Sequence, residues 1–103
     1  MAAIPRMTAP MQAVLRVLLD AYRVDPAREV YGLQLCERLG LGFGTVYRIL
    51  ARLHDQAGWV NKRVETPDAA GAGRATRIYY RLTDEGAESA RLALAEAAAS
   101  PAG

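Results

Sequence analysis

Apolar residues recur at helical spacing through the first half of the chain and at alternating spacing further on. Met11, Val14, Leu15, Leu18, Leu19 and Tyr22 follow an i, i+3, i+4 stripe, which predicts an amphipathic helix from Ala9 to about Tyr22 or Arg23. Thr8 stands before it as a cap, and Pro10 is tolerated in a first turn. Asp25-Pro26 is a cap followed by a proline, the signal for a short turn. A second stripe, Tyr31, Leu35, Cys36 and Leu39, predicts a helix from Val30 to Leu39 that Gly40 closes. A third, Val46, Ile49, Leu50 and Leu53, predicts a helix from Gly44 to about Asp55, ended by Gly58. The period then shortens to two. Trp59 to Glu65 alternates with Val60 and Val64 on one face. Arg77 to Leu82 alternates with Ile78, Tyr80 and Leu82 inward and Arg77, Tyr79 and Arg81 outward. Residues 66–76 between them are rich in Ala, Gly and Pro and read as a loop. Thr83 caps a last helix running to about Ala98, with Asp84 and Glu85 in its first turn, where the helix dipole favours them.

Two short helices joined by the glycine-bearing turn 40–43 have the form of a helix-turn-helix, and a hairpin directly after it has the form of a wing. The expected fold is mainly α with a small β-hairpin: a winged helix-turn-helix with a three-helix core, a β wing and a C-terminal helix. Residues 1–7 are expected to be a flexible arm, 8–82 the winged domain, and 83–103 a C-terminal helix and candidate dimerisation element. That last helix is apolar mostly through alanine, which promotes helix but buries little area, so its stability depends on what it docks against. Its own domain and a second copy of the chain are both candidates.

At 103 residues with half of them apolar, the chain has room for one modest core. The single cysteine, Cys36, has no intramolecular disulfide partner, which favours a reducing, cytoplasmic setting. The first ten residues lack the apolar core of a signal peptide, and no apolar run reaches the roughly 20 residues that span a bilayer, so no membrane association is expected. The net charge of +2 hides a gradient. Residues 1–43 carry +1, residues 44–81 carry +4, and residues 82–103 carry −3. A basic surplus confined to the third helix and the hairpin is a footprint of nucleic-acid binding.

The third helix shows how the surplus is presented. At 100° per residue, Gly44, Arg48, Ala51 and Arg52 point away from the buried stripe, with Thr45 and Tyr47 on the flanks. A face that is small at its centre, with two guanidiniums and two flanking hydroxyls, suits a helix pressed against DNA. An ordinary surface helix shows the same pattern, and the basic hairpin tips the balance. The expected DNA-binding residues are Gly44, Thr45, Tyr47, Arg48 and Arg52 on the helix, with Lys62, Arg63, Arg74 and Arg77 on the wing. Arg48 and Arg52, helped by Thr45, carry specificity; Tyr47 and the wing cations carry phosphate contacts and hence a steep salt dependence, with the 60–82 wing reaching along the phosphates or into a minor groove.

These residues also resemble a known family. Tyr31-Gly32-Leu33, then Gly44-Thr45-Val46-Tyr47 with Leu50 and Arg52-Leu53, then Gly58-Trp59-Val60, then Arg77 to Gly86 look like the PadR family of winged-helix transcriptional regulators, over about residues 8–90. The resemblance implies a repressor that binds operator DNA as a homodimer, with the third helix in the major groove and the wing along the backbone. It implies that Thr45 and Tyr47 contact phosphate or base edges. Three features depart from it. Phe43 stands where the family often has serine, removing an expected cap worth on the order of 1 kcal/mol. Arg48 stands where a proline is common, and a guanidinium can pair bidentately with guanine. The C-terminal region is short for a family that often dimerises through a longer one.

Other chemistry finds little support. Cys36 lies on a core stripe. His54 sits near a helix end, and one Cys with one His falls far short of a zinc set, so neither metal nor cofactor is expected. No nucleophile, base and orienting acid form a triad, so no enzyme is expected. Gly40-Leu41-Gly42-Phe43-Gly44 follows a helix and lacks the lysine of a phosphate-binding loop. Trp59 is expected to anchor the core, with stacking on a planar effector between subunits as the alternative. No feature identifies an effector. The rival from another class is a winged-helix module that binds protein and not DNA, which would carry an exposed apolar patch on the third helix or wing.

Overall fold

A computed structural model of the chain describes residues 4–66 and 76–99. Its elements run α1 (Ala9–Val24), β1 (Val30–Tyr31), α2 (Gly32–Leu39), α3 (Phe43–Ala51), a π-helical turn (Arg52–Gln56), β2 (Val60–Glu65), β3 (Arg77–Leu82) and α4 (Asp84–Ala99). This is a mainly helical winged helix with a small antiparallel sheet.

The helix α1 forms as its stripe predicts. The Thr8 hydroxyl accepts from the Met11 amide at 3.3 Å, satisfying one of the orphan donors of the first turn. Met11, Val14, Leu15 and Leu18 are buried with almost no exposure. They meet Leu35 of α2, Val46 and Leu50 of α3, and Leu53 of the π turn in one core that Trp59, Val60, Tyr80 and Leu82 close from the sheet side. The expected loose arm is tied down at its end: the Thr8 amide donates to Arg6 O at 3.0 Å, the Gln12 amide side chain to Met7 O at 2.9 Å, and Met7 packs on the core. The Asp25 turn is present, with its carboxylate accepting from the Ala27 amide at 2.9 Å.

Three boundaries differ from the sequence reading. Val30 and Tyr31 are a strand and not the first turn of α2. They pair with Tyr80 and Tyr79 of β3, giving a three-stranded sheet in the order β1-β3-β2 where a two-stranded hairpin was expected. Tyr31 is extended, at φ −81° and ψ 132°, and the Gln34 side chain reaches back to accept from its amide at 3.2 Å. Helix α3 starts one residue early, at Phe43 behind an N-cap Gly42 that supplies no side-chain bond. Regular α-helix gives way at Arg52, and the wider π turn keeps Leu53 fully buried while His54, Asp55 and Gln56 face solvent.

The glycine stops hold. Gly40 and Gly58 adopt φ of 65° and 68°, the left-handed conformation in which a side chain is disfavoured. β2 and β3 pair in a continuous register from Val60↔Leu82 to Glu65↔Arg77. Val64, expected to face inward with Val60, is 53% exposed. In α4, the Thr83 hydroxyl accepts from the Gly86 amide at 2.8 Å as the expected cap.

Candidate nucleic-acid interface

Helix α3 presents its outer face as predicted. Val46, Ile49 and Leu50 are buried, Gly44, Arg48 and Arg52 are exposed, and Thr45 is half-buried on the flank. Neither Arg48 nor Arg52 makes an ion pair with a described residue. Two unneutralised guanidiniums on one turn are free to find an external acceptor.

Tyr47 is placed differently from a free phosphate donor. Its ring is half-buried against the core and stacks on Phe43, with centroids 5.0 Å apart and planes 18° from parallel. Its hydroxyl lies over Gly32, where a Cβ would come within 2.5 Å of the oxygen. Burial raises the pKa of this phenol, which therefore stays neutral near pH 7. The glycine at the start of α2 thus lets the tyrosine cross it, and the tyrosine holds Phe43.

The wing cations divide between two faces of the sheet. Lys62 pairs with Tyr80 and shares the side of Val60, the one packed toward the body. It is exposed and makes no ion pair with a described residue. Arg63 and Arg77 stand on the other side, because neighbouring strand residues alternate. Arg63 is already engaged: its guanidinium meets the Glu29 carboxylate at 2.9 to 3.0 Å, reaches Glu65 at 3.4 Å, and lies 4.6 Å over the Tyr79 ring. The bond from Arg63 holds the Glu29 carboxyl below the usual range, and the same pairing raises the guanidinium pKa. Arg77 lies 5.4 Å over Tyr31, and Tyr31 and Tyr79 are 5.7 Å apart. The result is a lattice of interleaved arginines and tyrosines that stiffens the root of the wing. Arg74, the fourth expected wing contact, falls outside the described residues.

Two residues of this surface were missed from the sequence. Glu29 is separated from Arg63 along the chain, so no local pattern announces the pair. Phe43 was noted as a departure, but its 57% exposure at the tip of α3 was not foreseen. Cys36 is half-buried and packs on the core edge. His54 contacts the neighbouring Asp55 at 2.7 Å. Among the described residues no three His, Cys, Asp or Glu side chains are grouped to hold a metal ion, and no described helix is long and apolar enough to cross a membrane.

The fold is that of winged-helix regulators. A candidate DNA-binding protein from Ralstonia eutropha JMP134 superposes with a TM-score of 0.63 at 26% identity, over 85% of this chain and 98% of that one. The transcriptional regulator PcaV of Streptomyces coelicolor, solved with its natural ligand, superposes at 0.54 with 26% identity, over 93% of this chain and 64% of PcaV. ZitR of Lactococcus lactis, a zinc-responsive MarR family member, gives 0.59 at 18% identity, over 92% of this chain and 58% of ZitR, and so speaks to the fold alone. No family model matches the chain, and no curated protein does.

Proposed function

We propose that this chain is a sequence-specific DNA-binding transcriptional regulator that acts as a repressor and binds its operator as a homodimer. One observation carries the reading: α3 turns Arg48 and Arg52 outward without ion-pair partners among the described residues, beside a hairpin that offers Lys62. In this role α3 enters the major groove. Arg48 donates both guanidinium arms to guanine O6 and N7, and Arg52 and Thr45 read or position its neighbours. Lys62, Arg63, Arg74 and Arg77 face phosphates along the wing, with Arg63 taking the lesser share while Glu29 holds it. Tyr47 acts by bracing the helix tip, with its hydroxyl packed over Gly32. The similarity to the Ralstonia protein and to PcaV, both described as DNA-binding or regulatory, supports the class.

A gel shift on random duplex at low and at moderate salt tests the reading. Retention at low salt that fades steeply is expected, and no retention at low salt sinks it. On a site selected from a random library, Arg48→Ala is expected to cost about 1–3 kcal/mol and to relax preference at one base. Lys62→Ala is expected to weaken all sequences alike and to lower the salt slope by about one. Unchanged affinity and preference in Arg48→Ala would remove that residue from the reading.

One observation favours the rival, a protein-binding winged helix: Phe43 and Val64 are 57% and 53% exposed. Phe43 borders an apolar cleft with Tyr31, Leu33 and Ile78, and Val64 pairs with Ile78. The same low-salt gel shift decides between the two.

A further inference from the structure

Phe43 is the one large apolar side chain of α3 left mostly exposed among the described residues, at the tip of the helix, and the DNA-binding reading gives it no part. It is the first residue of the helix, 57% exposed, behind an N-cap glycine. One face of its ring is covered by Tyr47 at 5.0 Å. Tyr47 is in turn fixed, since its ring packs on the core and its hydroxyl sits in the space that Gly32 leaves open. The phenyl group is therefore held in place before any partner arrives. It also forms one wall of an open, mostly apolar cleft of about 390 Å³ whose other walls include Tyr31, Leu33, Thr76 and Ile78.

A helix tip that enters the major groove meets hydrogen-bonding edges and a single apolar group, the 5-methyl of thymine. A fixed, half-exposed phenyl ring has nothing to offer the former and suits the latter. We infer that Phe43 is a specificity residue that reads a thymine 5-methyl group in the operator. The inference rests on the proposed DNA-binding function. Phe43 precedes Arg48 by five residues, about 7.5 Å along the helix and about 140° around it, so its ring would meet the groove at the helix tip rather than beside Arg48.

The test uses the full chain and the duplex enriched from a random library, with each thymine replaced singly by 2′-deoxyuridine, which lacks only the methyl. Fluorescence anisotropy is expected to show one replacement weakening wild-type binding about fourfold, the size expected for burying one methyl group. Phe43→Ala is expected to bind the thymine duplex more weakly and to bind the two duplexes equally. Phe43→Leu, still apolar, is expected to keep part of the discrimination. Circular dichroism should show both variants folded, since the ring lies largely outside the core. Tolerance of deoxyuridine at every position overturns the inference. So does an enriched site without thymine, or discrimination that survives in Phe43→Ala. Loss of affinity in Phe43→Ala without any methyl effect would make the ring a wedge between base steps and overturn it equally. If wild type retains no duplex even at low salt, the DNA-binding reading falls and this inference with it; binding without methyl discrimination removes only the latter.

Discussion

Two glycines set close approaches on which the surface depends, and each makes a distinct stability prediction. Gly86 lies in the first turns of α4 directly against the Trp59 backbone, and a methyl group there would collide with the Trp59 carbonyl. In an open helix Gly→Ala gains about 1 kcal/mol. Here the sign reverses, because neither backbone can yield without breaking the Thr83 amide bond to Trp59 O at 2.9 Å. Gly86→Ala is expected to lower stability by about 3 kcal/mol or more, read as a fall in the urea midpoint. Gly32→Ala meets the end of the Tyr47 side chain instead, which can swing aside. Its stability loss should be the smaller of the two in the same titration, with the Phe43 stack disrupted as the ring moves. Neither reason was legible in the sequence, since each glycine's neighbour belongs to a different element. Gly40 and Gly58 were legible as helix stops because their positive φ answers a local need that the chain pattern shows.

The elements that could be read correctly are those whose evidence is local. The α1 stripe, the alternation in β3 and the Thr83 cap each appear within one short window. β1 could not be read, because Val30 and Tyr31 fit a helical stripe as well as a strand, and their pairing with Tyr80 and Tyr79 decides between them. The π turn is likewise a product of packing, which keeps Leu53 inside while the chain turns toward β2. The clasp between Glu29 and Arg63 joins the segment before β1 to β2 across the ring of Tyr79. It predicts a pH dependence. Arg63 depresses the Glu29 carboxyl below its ordinary value of 4.5. A carboxyl depressed in the folded state contributes stability that is present above the ordinary value and lost as pH falls through the depressed one. Glu29→Gln should therefore melt below wild type at about pH 7, and the gap should close as pH falls through the depressed value. A gap that persists in acid would assign the effect to packing rather than to the ion pair. Releasing Arg63 from Glu29 should also steepen the salt dependence of DNA binding if the guanidinium then takes a phosphate.

At the scale of the molecule, the open matter is what the outer half of α4 is for. Its first half is docked: Gly86, Ala87 and Ala90 are buried, and Tyr22 of α1 donates a short hydrogen bond to the Asp84 carboxylate, which raises the tyrosine pKa. Beyond Ala90, among the described residues, only Ala93 and Leu94 pack on the core, while Leu92 is 53% exposed. Leu92 borders a shallow cavity of about 410 Å³ that Ile4 and Trp59 also line, and Ile4 is 78% exposed. Sixteen residues of alanine-rich helix bury little on their own, so the proposed homodimer is expected to use this half of α4 together with the segment around Ile4. A carboxylate at position 92 would have to be desolvated in that contact but stays hydrated in a monomer. Leu92→Glu is therefore expected to leave the helical circular dichroism unchanged and to convert a dimer into a monomer in sedimentation equilibrium. Its affinity for a two-fold operator should fall much more than its affinity for a half-site, since only the linked second contact is lost. A Leu92→Glu protein that still sediments as the wild-type dimer would place the interface elsewhere. A wild type that is monomeric at the concentrations where it binds DNA would remove the homodimer altogether and leave α3 and the wing to read a single half-site.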